Sequence, residues 1–249
     1  SEYSGEVGIT YPKFKAPFLN SKFKRKILAS TEVSTQFNYQ ERPEYTRIIA
    51  GAAYKYIWKE RSKNTRHTVT LLDINYVYLP ESKINFLDSI QNPLLRYSYE
   101  DHFIMRMGYS FYHSNKKERD LLTSPFQENV YTVRAGVETA GNLLYGISNA
   151  IGSQKKDGAY EVFGIRYSQY AKVDFDYSLT HNFTPKSSVA FRVGFGAAVP
   201  YGNSNVLPFE KRFYAGGANS VRGWGVRTLG PGSYDGKNSV NSFIYQCGD

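Results

Sequence analysis

Alternation of apolar and polar residues runs through most of this chain, and little but β-structure can satisfy it. In Ser188–Val199, the residues Val189, Phe191, Val193, Phe195, Ala197 and Val199 fall on one side. Ser188, Ala190, Arg192, Gly194, Gly196 and Ala198 fall on the other. A period of two places each set on its own face of a strand. The preceding segment repeats the pattern, with Val173, Phe175, Tyr177 and Leu179 set against Lys172, Asp174, Asp176, Ser178 and Thr180. Phe183–Lys186, with Pro185, reads as the turn of a hairpin between them. The same alternation occurs around residues 3–11, 33–40, 48–58, 72–78, 105–111 and 131–138, which makes about eight strands of roughly ten residues before position 200. No helical period of any length competes with them.

Strands of about 9–11 residues are long enough to cross a bilayer at a tilt, whereas globular strands are usually nearer 5–6 residues. In a soluble sandwich the apolar face would cover a core. In a membrane barrel it would face lipid, while polar and small residues line a wet interior. Charges at Lys172, Asp174, Asp176, Arg192, Arg134 and Glu138 lie mid-strand and all on the polar face. Tyr11, Tyr39, Trp58, Tyr78 and Tyr201 sit at strand ends, where an aromatic girdle belongs. The chain holds 22 Tyr against 16 Phe and 2 Trp, which suits strands and membrane interfaces alike. Mean hydropathy is −0.49, and no apolar run is long enough for a transmembrane helix. That value is compatible with a barrel, whose strands meet lipid only at every second residue. The expected fold is therefore all-β: a transmembrane antiparallel β-barrel.

Tight links at Glu41–Glu44 and Phe183–Lys186 contrast with long ones at Leu79–Glu100, Gly141–Tyr167 and Pro200–Asp249. Barrels of this class have short periplasmic turns and long outer loops. Counting back from Pro200 puts Glu41–Glu44 on the long-loop side, against that rule. The formal net charge of +9 comes from clusters at Lys13–Lys26, Lys55–Arg66 and Lys116–Arg119. They suit lipid head groups or lipopolysaccharide phosphates. No nucleic-acid motif accompanies them, so no nucleic-acid partner is expected.

Catalytic and metal-binding chemistry find no support in the pattern, and no cofactor, metal or enzymatic activity is expected. The four histidines, at 67, 102, 113 and 181, lack metal-ligand spacing. The lone Cys247 can form neither an internal disulfide nor a thiolate cluster. Ser220 lacks the setting of a nucleophile elbow, and the Gly-rich stretches lack the context of a phosphate loop.

The most unusual segment is Leu207–Tyr234, LPFEKRFYAGGANSVRGWGVRTLGPGSY. It is Gly-rich yet carries Phe209, Phe213, Tyr214, Trp224 and several arginines. So many rings suit a loop that folds back and packs, with Gly216, Gly217, Gly223 and Gly225 permitting positive φ and close backbone approach. Arg222 offers a planar fork of donors for a carboxylate or carbonyl partner. The expectation is that Leu207–Trp224 returns to the concave side and buries Arg222. A Gly-rich surface hairpin with an exposed arginine would use the same residues.

RFYAGGANSVRGW followed by RTLGPGSY resembles the signature of the BamA/TamA superfamily of outer-membrane assembly factors. YSQYAKVDFDYS and VETAGNLL resemble the barrels of its lipoprotein-anchored, TamL-like branch. The resemblance implies that Val221, Arg222, Gly223 and Trp224 form the tip of an inward-folding loop at about 200–224. Arg212, Phe213, Tyr214, Gly216, Gly217, Gly230 and Pro231 would support that loop. Arg222 would dock on acidic groups of the inner wall, for which Glu138, Asp174 and Asp176 are the candidates in this chain.

The resemblance further implies that residues 1–249 are a partial barrel, about nine or ten of sixteen strands, without the periplasmic POTRA repeats and the C-terminal strands. Such a sheet would expose two edges, which closed barrels avoid. Partners implied are outer-membrane lipid and lipopolysaccharide, client outer-membrane or secreted proteins, and periplasmic or inner-membrane assembly partners. Two functions share this motif, an insertase acting through a lateral seam and a two-partner-secretion-type translocation pore; a third, a passive porin or receptor, would leave it unexplained.

Overall fold

The computed structural model describes residues 2–13, 27–41, 45–60, 64–82, 101–116, 126–156, 158–208, 211–214, 216–217 and 222–223. The strands are β1 (Glu2–Tyr11), β2 (Ile27–Glu41), β3 (Tyr45–Glu60), β4 (Thr65–Ser82), β5 (His102–Ser114) and β6 (Asn129–Ala140), then β7 (Glu161–Val162), β8 (Ile165–Arg166), β9 (Tyr170–Thr184) and β10 (Ser187–Pro200). Eight of them form one antiparallel meander in the order β1-β2-β3-β4-β5-β6-β9-β10, and β7 pairs only with β8. Strands of 10 to 18 residues at about 3.3 Å per residue reach across a bilayer's hydrocarbon core when tilted.

The register makes the alternation collective. Val173 lies opposite both Val137 and Ala197, and Phe175 opposite both Ala135 and Phe195. Gly136 and Gly196 flank Asp174 on the other face, and Arg134 and Gly194 flank Asp176. One face is thus apolar from Tyr3, Val7 and Ile9 of β1 to Val189, Phe191, Val193 and Phe195 of β10. These side chains are exposed in the monomer, as a lipid-facing wall must be. Exposed apolar area on this scale is foreign to soluble monomers. Lys172, Asp174, Asp176 and Arg192 share the opposite, polar face, as the alternation predicts. Among the described residues no helix is long and apolar enough to cross a membrane.

The meander sorts the connections between two rims. The links β2–β3, β4–β5 and β6–β9, and the segment after β10, leave from one rim; β1–β2, β3–β4, β5–β6 and β9–β10 leave from the other. The tight turn at Pro185–Lys186 is on the second rim. Glu41–Tyr45 lies on the first, with the long connections, as counting from Pro200 implies; its residues 42–44 lie outside the described residues. Of the basic stretches, the described Lys13, Lys59, Arg66 and Lys116 fall at the second rim.

Residues 141–169 depart from the all-strand expectation. They contain a helix, α1 (Asn142–Ile151), and the β7–β8 hairpin. Gly141 and Gly152, both with positive φ, bracket α1. The Gly141 amide donates to the Met105 carbonyl at 2.9 Å. Leu144 and Tyr145 of α1 join Tyr160, Val162, Ile165 and Tyr167 in packing on Phe103, Ile74, Tyr76 and Met105. Those last four occupy the apolar face of β4 and β5, so the insert folds against the lipid side of the wall.

Asn203, just past β10, pins the insert. Its side-chain Nδ2 donates to the carbonyls of Tyr160 (2.9 Å) and Tyr167 (3.0 Å). Its Oδ1 accepts from the Tyr160 amide at 2.6 Å, and its own amide donates to Gln169 Oε1 at 2.8 Å. Arg166 Nε donates to its carbonyl at 2.6 Å. Asn203 is 2% exposed, so Asn203→Ala would leave buried backbone groups of Tyr160 and Tyr167 unmatched, each costing about 1–3 kcal/mol. The expected outcome is faster amide exchange and proteolysis within 153–167 in the membrane-embedded protein, with β9 and β10 still protected.

Candidate functional site: a charged network under the Gly-rich loop

The polar face of the central strands concentrates charge in one place. A bulge in β4 starts it: Thr70 pairs with Gly108 but Asp73 with Arg106, so three steps on β4 match two on β5. The shift sets Asp73 directly across from Arg106, and Glu138 of β6 lies two residues from that line. Arg106 donates through Nη2 to Asp73 Oδ2 at 2.6 Å and through Nη1 to Glu138 Oε2 at 2.5 Å. The guanidinium fork suits such bridging, since it holds two acids with separate nitrogens. Glu138 Oε1 accepts from the hydroxyl of Tyr170, the first residue of β9, at 2.5 Å. Lys211 Nζ reaches the same oxygen at 3.3 Å. Three strands, β5, β6 and β9, and one loop residue therefore meet at Glu138, and β4 joins them through Arg106.

Lys211 belongs to the segment that follows β10. Its carbonyl accepts from Lys172 Nζ at 3.2 Å, and the same ammonium lies 4.1 Å from the centre of the Phe213 ring. The Phe213 ring covers Gly196 of β10, where a Cβ would come within 2.5 Å of it. Only glycine there admits the ring. Leu207 packs on Ile104, Ala140 and Tyr170, which also lie on the polar face. Arg212 Nε donates to the Leu207 carbonyl at 3.1 Å, closing the segment on itself. Leu207, Lys211 and Phe213 thus lie against the polar face. Beside them a hollow of about 270 Å³ extends across β1 to β5, bounded by Glu6, Gln36, Lys55, Asp73, Arg106 and Lys211.

The residues predicted for this site divide as follows. Glu138 is the hub of the network. Asp176 pairs with Arg192 Nε at 2.7 Å, and Asp174 sets its carboxylate over Gly136, within 2.5 Å of where a Cβ would be. Arg212 and Phe213 make the contacts above, and Tyr214 is half-buried. Gly216 and Gly217 have φ of 95° and 85°, a left-handed pair that needs glycine; Gly223 does not share that conformation. Val221, Trp224, Gly230 and Pro231 lie outside the described residues.

Arg222 is exposed on a turn with Gly223, where burial was expected. Residues 218–221, which lead into it, lie outside the described residues. The contacts with the wall are made by Lys211 and Phe213, several residues earlier. Asp73, Arg106, Tyr170 and Lys211 were not singled out from sequence. The available signal was a charged residue at a polar-face position on each of three neighbouring strands.

A long-stranded antiparallel wall, apolar on one face and charged on the other, with aromatic residues toward its rims, is that of a bacterial outer-membrane β-barrel protein. Residues 151–243 match the Omp85 superfamily domain. Over 65 residues the chain is 45% identical to the outer membrane protein assembly factor BamA of Neisseria meningitidis serogroup B. That stretch makes up 24% of this chain and 8% of the relative, so the chain matches under a tenth of that protein's length. Both findings support the BamA/TamA-type resemblance.

Glu138 neutralises Arg106 and Lys211 together, whereas Asp73 contacts only Arg106 in this cluster. Glu138→Ala should therefore destabilise the complete barrel more than Asp73→Ala. Breaking a buried pair costs about 3–5 kcal/mol, and the partial exposure of these groups brings the expectation for Glu138 down to roughly 2–3 kcal/mol. Urea unfolding in lipid vesicles measures both, and equal midpoints for the two variants would deny Glu138 its central place.

Proposed function

We propose that the complete protein is an outer-membrane assembly or insertion factor, of the lipoprotein-anchored TamA-like branch, that handles client outer-membrane or secreted proteins. The chain described here contributes part of its barrel wall and the loop that braces it. The V-R-G-W segment, Val221–Trp224, is the working tip of that loop, and residues 1–249 form one partial barrel domain. Partners of the whole protein are the clients, the surrounding lipid and lipopolysaccharide, and periplasmic or inner-membrane assembly proteins.

The observation that carries this reading is the placement of Leu207, Lys211 and Phe213 on the charged face. After the chain leaves β10 at the rim, Lys211 is tied to Glu138 and Phe213 lies over Gly196. Both precede the tetrapeptide in the chain, within the residues that match the Omp85 superfamily domain. A passive pore does not require a loop tied to its wall. An assembly factor does, because a braced wall can hold a weak seam elsewhere without collapsing. Client strands can then add to an exposed edge through main-chain hydrogen bonds, and the clients' own folding free energy drives insertion without covalent chemistry.

The test is complementation with the complete protein. Arg222→Ala should lower assembly while leaving membrane targeting intact, since the loop tip loses its charged fork of donors. Arg222→Lys should recover only part, because an ammonium lacks the planar fork. Full growth with both variants and an unshifted heat-modifiable band on gels would remove Arg222 from the mechanism.

A further inference from the structure

The insert between β6 and β9 has an outer side that its packing leaves uncovered. Its inner side is accounted for by the contacts of Leu144, Tyr145, Tyr160 and Ile165 with the apolar wall. Away from the wall, Leu143, Ile147 and Ile151 are 49%, 46% and 74% exposed. A spacing of four places them in one stripe along α1.

Phe163 is 83% exposed at the tip of the β7–β8 hairpin. Its φ is 53° and that of Gly164 is 76°, the two positive values of a hairpin turn that favours Asn-Gly. A bulky aromatic there is a conformational outlier, and outliers of this kind persist where they serve a purpose. Here the turn presents the most exposed large apolar side chain among the described residues of the insert.

Beneath that ring is an apolar cleft of about 370 Å³, floored by Ala50 and Ala52 and walled by Ile74, Tyr76, Phe103 and Phe163. It opens on the face that meets lipid. Two cations follow the end of α1: Lys155, whose Nζ lies 5.1 Å from the Tyr160 ring centre, and Lys156, 3.6 Å from Glu161. Apolar stripe, aromatic tip and adjacent lysines form the pattern of an element lying in a membrane interface.

We propose that α1 and the β7–β8 tip are an interfacial lipid anchor, binding a phosphorylated lipid of the leaflet at the loop-bearing rim. One acyl chain occupies the cleft under Phe163, and Lys155 and Lys156 face the headgroup. The cleft is continuous with the lipid-facing wall, which commits it to membrane lipid. The inference rests on the membrane-barrel reading of the fold, not on the assembly function.

The experiment uses the complete, cysteine-free protein with a single bimane label at position 147, 163 or 193. It is reconstituted in phosphatidylethanolamine vesicles containing either phosphatidylglycerol or phosphatidylcholine brominated on the acyl chains. The label at 193, mid-wall on β10, should be quenched by both lipids. Labels at 147 and 163 should also be quenched, with phosphatidylglycerol effective at lower content by about fivefold for each lysine. Lys155→Gln with Lys156→Gln should abolish that preference and leave the quenching. Quenching at 193 but at neither 147 nor 163 overturns the anchor alone. No quenching at 193 overturns the barrel reading with it. Quenching without a headgroup preference overturns the role of the lysines, and shielding of 147 and 163 only on addition of a second protein assigns the surface to a protein partner instead.

Discussion

A strand with lipid on one side and water on the other cannot slip by a single residue. Such a slip would carry Asp174, Asp176 and Arg192 into hydrocarbon and bring Val173, Phe175 and Val193 into the lumen. A charged side chain placed at the lipid face near mid-membrane costs about 2–4 kcal/mol for a basic residue, and a slipped strand would place several there at once. Register is therefore fixed along the whole meander. Backbone hydrogen bonding enforces the same result, because no water is available in the bilayer core to satisfy an unpaired amide.

The charged network uses this fixed register and departs from it in one place. Without the bulge in β4, Asp73 and Arg106 would not lie opposite each other, and the guanidinium could not span Asp73 and Glu138. One extra residue on β4 thus turns separate polar-face charges into a connected set. Bulges re-aim side chains in this manner near functional surfaces. Lys211 completes the set from outside the sheet. Position 196 has to be glycine for the Phe213 ring to settle beside it, so the loop's placement depends on the small residues of β10 as much as on charge.

How much of this was legible in sequence follows from the range of the interactions. The eight long strands were readable because alternation is local: each residue's face is set by its neighbours in the chain. The polar-face membership of Lys172, Asp174, Asp176 and Arg192 followed at once. α1 was not readable. Its ten residues include Gly146, Ser148 and Asn149, poor helix formers, and its apolar residues divide between the wall and the outer side. Asn203 gave no signal, because its partners Tyr160, Tyr167 and Gln169 lie 34 to 43 residues away and are mostly backbone groups. The positive φ of Gly216 and Gly217 was anticipated from composition. The exposure of Arg222 was not, since nothing local to V-R-G-W specifies how far the loop travels before it turns.

The segment 201–213 joins the two sides of the wall. The Tyr201 hydroxyl donates to Asn142 Oδ1 of α1 at 2.8 Å, and the Ser204 hydroxyl accepts from the Gln169 amide at 2.7 Å. Asn203 holds the insert that lies on the lipid side. Four residues later Leu207 is packed on the polar side, and Lys211 is at Glu138. A single stretch thus crosses the rim, with a hydrogen-bonded anchor on the lipid side and an ionic anchor on the lumen side. Neither anchor can shift far while the other holds, because the chain between them is only a few residues long. The insert's position against lipid and the loop's position against the charged face are therefore mechanically linked. One short connection at the rim of β5, β6, β9 and β10 thus ties the insert to the loop.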